Sequence, residues 1–135
     1  MTLIQLIYSS RPFGFDQSIL NGILATARRH NPAHDITGAL ICRSDLYLQL
    51  LEGPEQAVDR LYCNIICDDR HLEVRQHLRG PIQNRLFSHW AMLDDPARSW
   101  VWPREKVRDG ALEQASPMAV RDMFVRLRRA VAETG

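Results

Sequence analysis

Residues 46–53 (LYLQLLEG) form an apolar run that is typical of a β-strand, and a single uncharged amide, Gln49, stands in its middle. A buried amide needs polar partners. A Gln side chain carries one carbonyl acceptor and one NH₂ donor, so turning it over exchanges what it offers to a neighbour without moving any charge. Gln49 can therefore act as a switch.

Strand-like and helix-like patterns alternate along the first two thirds of the chain. The predicted strands are residues 3–8, 37–42, 46–53, 72–78 and 87–93, and the predicted helices are 16–31, capped by Asp16 and ended by Pro32, and 55–68. A turn is expected at Gly80 and Pro81. The order βαββαββ predicts an α+β, ferredoxin-like fold with a five-stranded mixed sheet and both helices on one face. Strands one and three are then antiparallel neighbours, so Tyr8 and Gln49 can meet on the helix-covered face.

The chain beyond residue 95 has a different character. Ser116 and Pro117 open a predicted helix with an apolar stripe, which we expect to cover the open face of the sheet. Trp100 and Trp102 could dock on that face or at a subunit contact, and we favour the first. The basic cluster, Arg126, Arg128 and Arg129, could meet an acidic partner, although a solvated helix face is the simpler reading. Residues 96–135 are therefore predicted to be a helical extension of a single domain formed by residues 1–95.

Length, charge and cysteine content exclude several classes of function. A chain of 135 residues with 45% hydrophobic residues suits one domain with a real core. Its 17 basic and 16 acidic residues leave a formal charge of +1, which gives no electrostatic case for nucleic acid or an anionic membrane. With no membrane-span pattern and no signal peptide, we expect a cytoplasmic protein. Cys42, Cys63 and Cys67 lack a C-x-x-C pair, so reduced thiols and no metal site are expected.

A set of short motifs, taken together, resembles one family. They are residues 7–10 (IYSS), Asn31, 36–40 (ITGAL), 48–54 (LQLLEGP), 68–71 (DDRH), 81–82 (PI), 85–87 (RLF) and 90–92 (WAM). Their spacing over residues 2–95 resembles that of BLUF domains, which are blue-light receptors that use flavin. The resemblance implies that residues 1–95 are a flavin-binding photosensor domain, with the flavin ring between the two helices.

The resemblance also implies which residues contact the flavin. They are Tyr8, Ile23, Asn31, Gln49, Ile65, Asp68 and Arg70. Asn31 is expected to bond the polar pyrimidine edge, Ile23 and Ile65 to flank the ring faces, and Asp68 and Arg70 to hold the ring or its side chain. FAD is the family default. Because no G-x-G-x-x-G fingerprint is present to hold the adenylate, FMN or riboflavin is possible as well.

The same resemblance implies a photochemical sequence. Blue light drives an electron and then a proton from Tyr8 to the flavin, and their return leaves the Gln49 amide rotated or tautomerised. A stronger hydrogen bond to the flavin O4 shifts the absorption to the red, and Trp90 or Met92 on strand five reads the change; the sequence leaves both open. The signal is expected to pass through strand five and the extension to an unidentified partner protein. We expect no enzymatic activity, no nucleic-acid or membrane partner, and a homo-oligomer.

Other functions on this fold remain as alternatives. A small acyl-phosphate hydrolase needs an Arg in an anion-cradling loop, and residues 9–14 (SSRPFG) supply Arg11 without the glycine-rich cradle. An RNA-binding module needs exposed aromatics and a basic-Gly-aromatic motif, which residues 47–51 lack. A flavin-binding module without photochemistry, or a protein-interaction module, is the remaining alternative.

Overall fold

Five strands and five helices make up the part of the chain that the computed structural model describes, residues 2–12, 17–43, 45–68, 71–96 and 101–134. The elements are β1 (Leu3–Pro12), α1 (Gln17–Ala33), β2 (Thr37–Arg43), β3 (Leu46–Pro54), α2 (Glu55–Ile66), β4 (His71–Ile82), β5 (Leu93–Pro96), α3 (Arg104–Arg108), α4 (Ala111–Gln114) and α5 (Pro117–Thr134). The α+β class agrees with the prediction. No helix in these ranges is long and apolar enough to span a membrane.

The strands form one mixed sheet in the order β4-β1-β3-β2-β5. β1 pairs with β3 and β4 in the antiparallel sense, β2 pairs with β3 in the same sense, and the short β5 runs parallel to β2. The central pairing of β1 with β3 sets Tyr8 directly opposite Gln49. Because side chains alternate between the faces of a sheet, this register fixes which residues share a face.

Each face of the sheet has its own apolar core. The first core combines Leu6, Tyr8 and Leu51 of the central strands with apolar side chains of α1 and α2. The second core combines Ile7, Leu48 and Leu50 with α5, whose contributing residues are Val120, Phe124 and Leu127. Burying a side chain of this size contributes about 1.5–3 kcal/mol. The last helix thus covers the face where the sequence places it, and Ser116 caps it by accepting the Ala119 N–H at 3.1 Å.

The prediction of a turn at Gly80 and Pro81 was wrong. β4 continues to Ile82, with Gly80 opposite Gln5 and Pro81 opposite Ile4. β4 is the outermost strand on its side of the sheet. Proline lacks an N–H and is tolerated on such an edge, where a ladder hydrogen bond is not required from both sides.

The prediction of a fifth strand at residues 87–93 was also wrong. β5 begins only at Leu93, so Trp90 and Met92 precede the strand instead of lying on it. The backbone N–H groups of Leu86 and Phe87 both donate to the buried Glu52 carboxylate at 2.8 Å, and the Trp90 N–H turns back to the Phe87 carbonyl. Backbone donors held this way cannot join a strand ladder, which delays the start of the strand.

Helix α1 extends past its predicted end. It runs to Ala33 with Pro32 inside its last turn, so Asn31 lies within the helix. The Asn31 carbonyl accepts the N–H groups of His34 and Ile36 and closes the helix end. The predicted cap at Asp16 lies outside the described residues.

Candidate functional site

A buried chain of three side chains crosses the sheet face that α1 and α2 cover. The Tyr8 hydroxyl donates to Gln49 Oε1, and Gln49 Nε2 donates to Met92 Sδ at 3.3 Å. All three side chains are buried. The Gln49 carbonyl therefore faces a phenol and its NH₂ group faces a thioether. Turning the amide over would set the carbonyl against a sulfur that has no proton to donate, so Met92 selects one of the two amide orientations.

The environment of Tyr8 keeps its hydroxyl protonated. Burial raises the pKa of Tyr8 well above its ordinary value, with further contributions from the nearby Tyr62 and Asp68. The Tyr62 ring lies 5.5 Å from the Tyr8 ring, centroid to centroid, in a tilted arrangement. A neutral phenol with its proton directed at an amide oxygen can release that proton along this hydrogen bond.

Gln49 opens onto a cavity between the two helices. The cavity has a volume of about 160 Å³ and is lined by Ile23, Thr26, Ala27, His30, Asn31, Gln49, Leu61, Asn64, Ile65 and Asp68. Ile23 comes from α1 and Ile65 from α2, so apolar walls face each other above an amide floor. Apolar planes with a few convergent amides suit an aromatic heterocycle with a polar edge. This volume is smaller than the roughly 300 Å³ or more that ligand pockets typically hold.

Asn31 and Asp68 lie at the edges of this cavity. Asn31 is completely buried, and its Nδ2 donates to the Ala91 carbonyl at 2.9 Å, which ties α1 to the residue before Met92. Asp68 is half-buried at the end of α2. The structure thus brings together six of the seven residues proposed from the resemblance, since Tyr8 adjoins Gln49 and the other five line the cavity. Arg70 lies outside the described residues, as does Trp100.

Met92 and Trp90 lie on opposite faces of the sheet. Met92 belongs to the first core and contacts Gln49, whereas Trp90 packs against the second core. The Trp90 ring meets Phe87 edge-on at 6.0 Å, and the Arg128 guanidinium lies 5.3 Å from its centroid. Of the two residues that the sequence left open, the structure has Met92 in contact with Gln49. Trp102 is half-buried against the second core.

Two charged residues near the site were missed by sequence reasoning. Arg28 donates from Nε and from a terminal nitrogen to the Met92 carbonyl, both at 3.2 Å, and so holds the Met92 backbone against α1. Glu52 is completely buried and accepts backbone N–H groups from the segment that leads to Met92. A charged residue inside the apolar run 46–53 was the available signal for Glu52. Arg28 on a helix surface gave no comparable signal.

Comparisons with known proteins agree on one family. The family model "BLUF: Sensors of blue-light using FAD" matches residues 3–93. The chain is 37% identical over 92 residues to the photoactivated adenylate cyclase subunit beta of Euglena gracilis, covering 67% of this chain and 10% of that protein. It is 38% identical over 70 residues to the blue light- and temperature-regulated antirepressor BluF of Escherichia coli (strain K12), covering 52% of this chain and 17% of that protein.

The structural likeness extends over nearly the whole chain. The dark-state structure of BlrB, a BLUF protein, superposes with a TM-score of 0.80 at 27% identity and covers 96% of this chain and 97% of that one. The photo-activated state of BlsA superposes with a TM-score of 0.78 at 21% identity over 93% and 94% of the two chains, which shows a shared fold. The chain spans about a tenth of the length of the cyclase subunit that it matches.

Proposed function

The chain belongs to the BLUF family of blue-light sensors, and we propose that it is a sensor without catalytic activity that detects blue light through a flavin held between α1 and α2. One observation carries this proposal: the central amide of the buried Tyr8–Gln49–Met92 chain, Gln49, lines the cavity between the helices. The phenol of Tyr8 can donate a proton, the amide of Gln49 can reverse its hydrogen bonds, and the thioether of Met92 contacts that amide and can respond to the change.

The flavin-binding residues follow from the lining of the cavity. We propose that Ile23 and Ile65 flank the ring, since they face each other across the cavity from the two helices. Asn31 supplies an amide toward the polar edge of the ring, and Asp68 with Arg70 holds the ring or its side chain. Placing a large planar ring between apolar side chains with few polar partners is a common way for a protein to bind such a cofactor.

The switch itself is performed by the protein's own side chains. A bound flavin supplies the absorption of blue light and accepts the electron. Tyr8 would provide that electron and the proton of its hydroxyl, which donates to Gln49 Oε1. When both return, the Gln49 amide is left turned over or tautomerised, and its former bond to Met92 Sδ is exchanged. The red-shifted signalling state is the state with the altered amide.

Met92 is the proposed reader of that change. It contacts Gln49 directly, and its backbone is fixed by Arg28 while the preceding carbonyl is fixed by Asn31. Losing the Gln49 contact therefore shifts a segment that is otherwise tightly held. We propose that this segment and the extension 96–135 carry the signal to a separate protein. Named relatives include cyclase subunits and an antirepressor, which are different kinds of output.

The identity of the flavin and its place in the cavity can be tested together. The chain is purified in darkness, and the released chromophore is identified by chromatography as FAD, FMN or riboflavin; we expect FAD. Ile65→Trp should fill the cavity and abolish flavin binding. Ile66→Trp is the matched control, because Ile66 is the adjacent residue of α2 and is 52% exposed. A flavin retained by Ile65→Trp at wild-type stoichiometry would place the binding site elsewhere.

A further inference from the structure

Glu52 is a buried carboxylate on the face of the sheet opposite the flavin cavity. Its two oxygens accept three N–H groups: the backbone amides of Leu86 and Phe87, both at 2.8 Å, and the Gln5 side chain at 3.0 Å. Hydrogen bonds to a charged acceptor are about twice as strong as neutral ones, and a buried charge that loses them is costly. The Leu86–Phe87 backbone is therefore held firmly to β3.

Gln5 connects this carboxylate to the last helix. Its Nε2 donates to Glu52, and its Oε1 accepts Nε of Arg121 on α5 at 2.9 Å. Gln5 is 2% exposed and sits opposite Glu52 in the β1–β3 register. The carboxylate on one side and the guanidinium on the other permit only one orientation of the amide, so Gln5 links the two charges in a fixed geometry.

A second contact joins α5 to the same segment. Arg128, two turns along α5 from Arg121, donates to the Leu86 carbonyl at 3.1 Å and stacks over the Trp90 ring. The segment 86–92 thus connects Gln49 on one side of the sheet with α5 on the other. Its far end carries Met92 against Gln49, and its near end is bonded to Glu52 and, through side chains, to α5.

We propose that Glu52 is a positioning residue that holds segment 86–92 in register with Gln49, and that Gln5 and Arg121 transmit the position of that segment to α5. This inference rests on the proposed photosensor function and names its output path. When Met92 leaves Gln49, the Leu86 and Phe87 amides move with the segment. The carboxylate follows them because it is completely buried and losing these donors would be costly, and Gln5 passes the displacement to Arg121.

The test compares two arginines of α5 in the full-length, flavin-loaded chain. Arg121→Met removes the guanidinium from Gln5 and keeps most of the apolar stem. Arg126→Met is the control, because Arg126 is exposed and, within the part of the chain that the structure describes, its ion pair is with Asp122 at 3.2 Å, one turn away. Two signals are recorded: the reversible red shift of the flavin and the light-minus-dark change in hydrogen exchange of residues 117–134.

Arg121→Met should keep the red shift, but its light-induced change in hydrogen exchange of α5 should be roughly tenfold smaller than that of the wild type. A factor of this size corresponds to the loss of one hydrogen bond to a charged group. Arg126→Met should keep both signals. Two results would overturn the inference: an Arg121→Met protein whose α5 responds as in the wild type, or a wild type that shifts to the red without any response in α5.

A wild type without any red shift would count against the proposed function instead, and the coupling is then tested in darkness. Urea unfolding of Glu52→Gln, Arg121→Met and the double variant should give a coupling of at least about fivefold in the unfolding equilibrium constant. Gln5→Leu should abolish that coupling. If Glu52→Gln does not fold, Gln5→Leu replaces it in the cycle with Arg121→Met. Additive effects would overturn the path from Glu52 to Arg121.

Discussion

The hydrogen bond between Tyr8 and Gln49 predicts strong non-additivity between two substitutions. Tyr8→Phe removes the donor and leaves the buried Gln49 carbonyl without it, which should lower the free energy of unfolding by about 1–3 kcal/mol. Gln49→Leu removes the acceptor and also the donor to Met92, and should cost a similar amount. In the double variant two apolar side chains face each other, so neither the hydroxyl nor the amide oxygen is left buried without the other. Its loss should be smaller than the sum of the two single losses by about 1–2 kcal/mol.

Urea unfolding of the four flavin-free proteins, followed by far-UV circular dichroism, measures this coupling. Tyr62→Phe with Gln49→Leu is a suitable control, because the Tyr62 ring adjoins Tyr8 but its hydroxyl has no hydrogen bond to Gln49 among the described contacts. That control pair should be additive within about 0.5 kcal/mol. Additivity of the Tyr8 and Gln49 substitutions would refute the direct bond from which the switch is derived.

Three further predictions concern packing and pH. Phe124→Ala, in the second core, should cost about 3–5 kcal/mol of unfolding free energy by urea titration, while Met118→Ala, 64% exposed on the same helix, should stay within about 0.5 kcal/mol. Gly38→Ala should lower the free energy of unfolding by at least about 2 kcal/mol, because a Cβ there collides with a backbone carbonyl of β3. Gly80→Ala, with open space around it, should be tolerated. Thermal unfolding of the two variants measures this difference. Burial lowers the pKa of His77 below its ordinary value of about 6.5. As the pH drops below about 6.5 the unfolded chain therefore takes up a proton before the folded protein does, and the free energy of unfolding should fall. His77→Gln should flatten that part of the pH–stability profile, and an unchanged slope would contradict this assignment.

The sequence predicted the order of strands and helices because their periodicities are strong and local. The pairing of β1 with β3 and the shared face of Tyr8 and Gln49 follow from that order and from side-chain alternation, whereas the register that sets the two residues directly opposite each other comes from the structure. The start of β5 could not be predicted, because residues 87–93 are largely apolar and read as a strand from the sequence. Their backbone donors are instead held by Glu52, a residue 34 positions before Leu86. Long-range side-chain contacts of this kind leave no periodic signal.

The candidate site was predictable to a similar degree. The lone amide in an apolar strand pointed to Gln49, and the resemblance supplied the remaining residues around the cavity. Whether Trp90 or Met92 contacts Gln49 depends on where the turn before β5 places each side chain. The two differ by two positions, so on a regular strand they would share a face. The irregular backbone breaks that rule and sends them to opposite faces.

The amide switch is tested most directly by an absorption spectrum of the flavin-loaded protein purified in darkness. The spectrum is recorded before blue illumination, immediately after it and during recovery, with Gln49→Leu beside the wild type. We expect a red shift that reverses in darkness in the wild type and is lost in Gln49→Leu. A flavin that bleaches without a reversible shift, or a variant that shifts as the wild type does, would contradict the switch at Gln49.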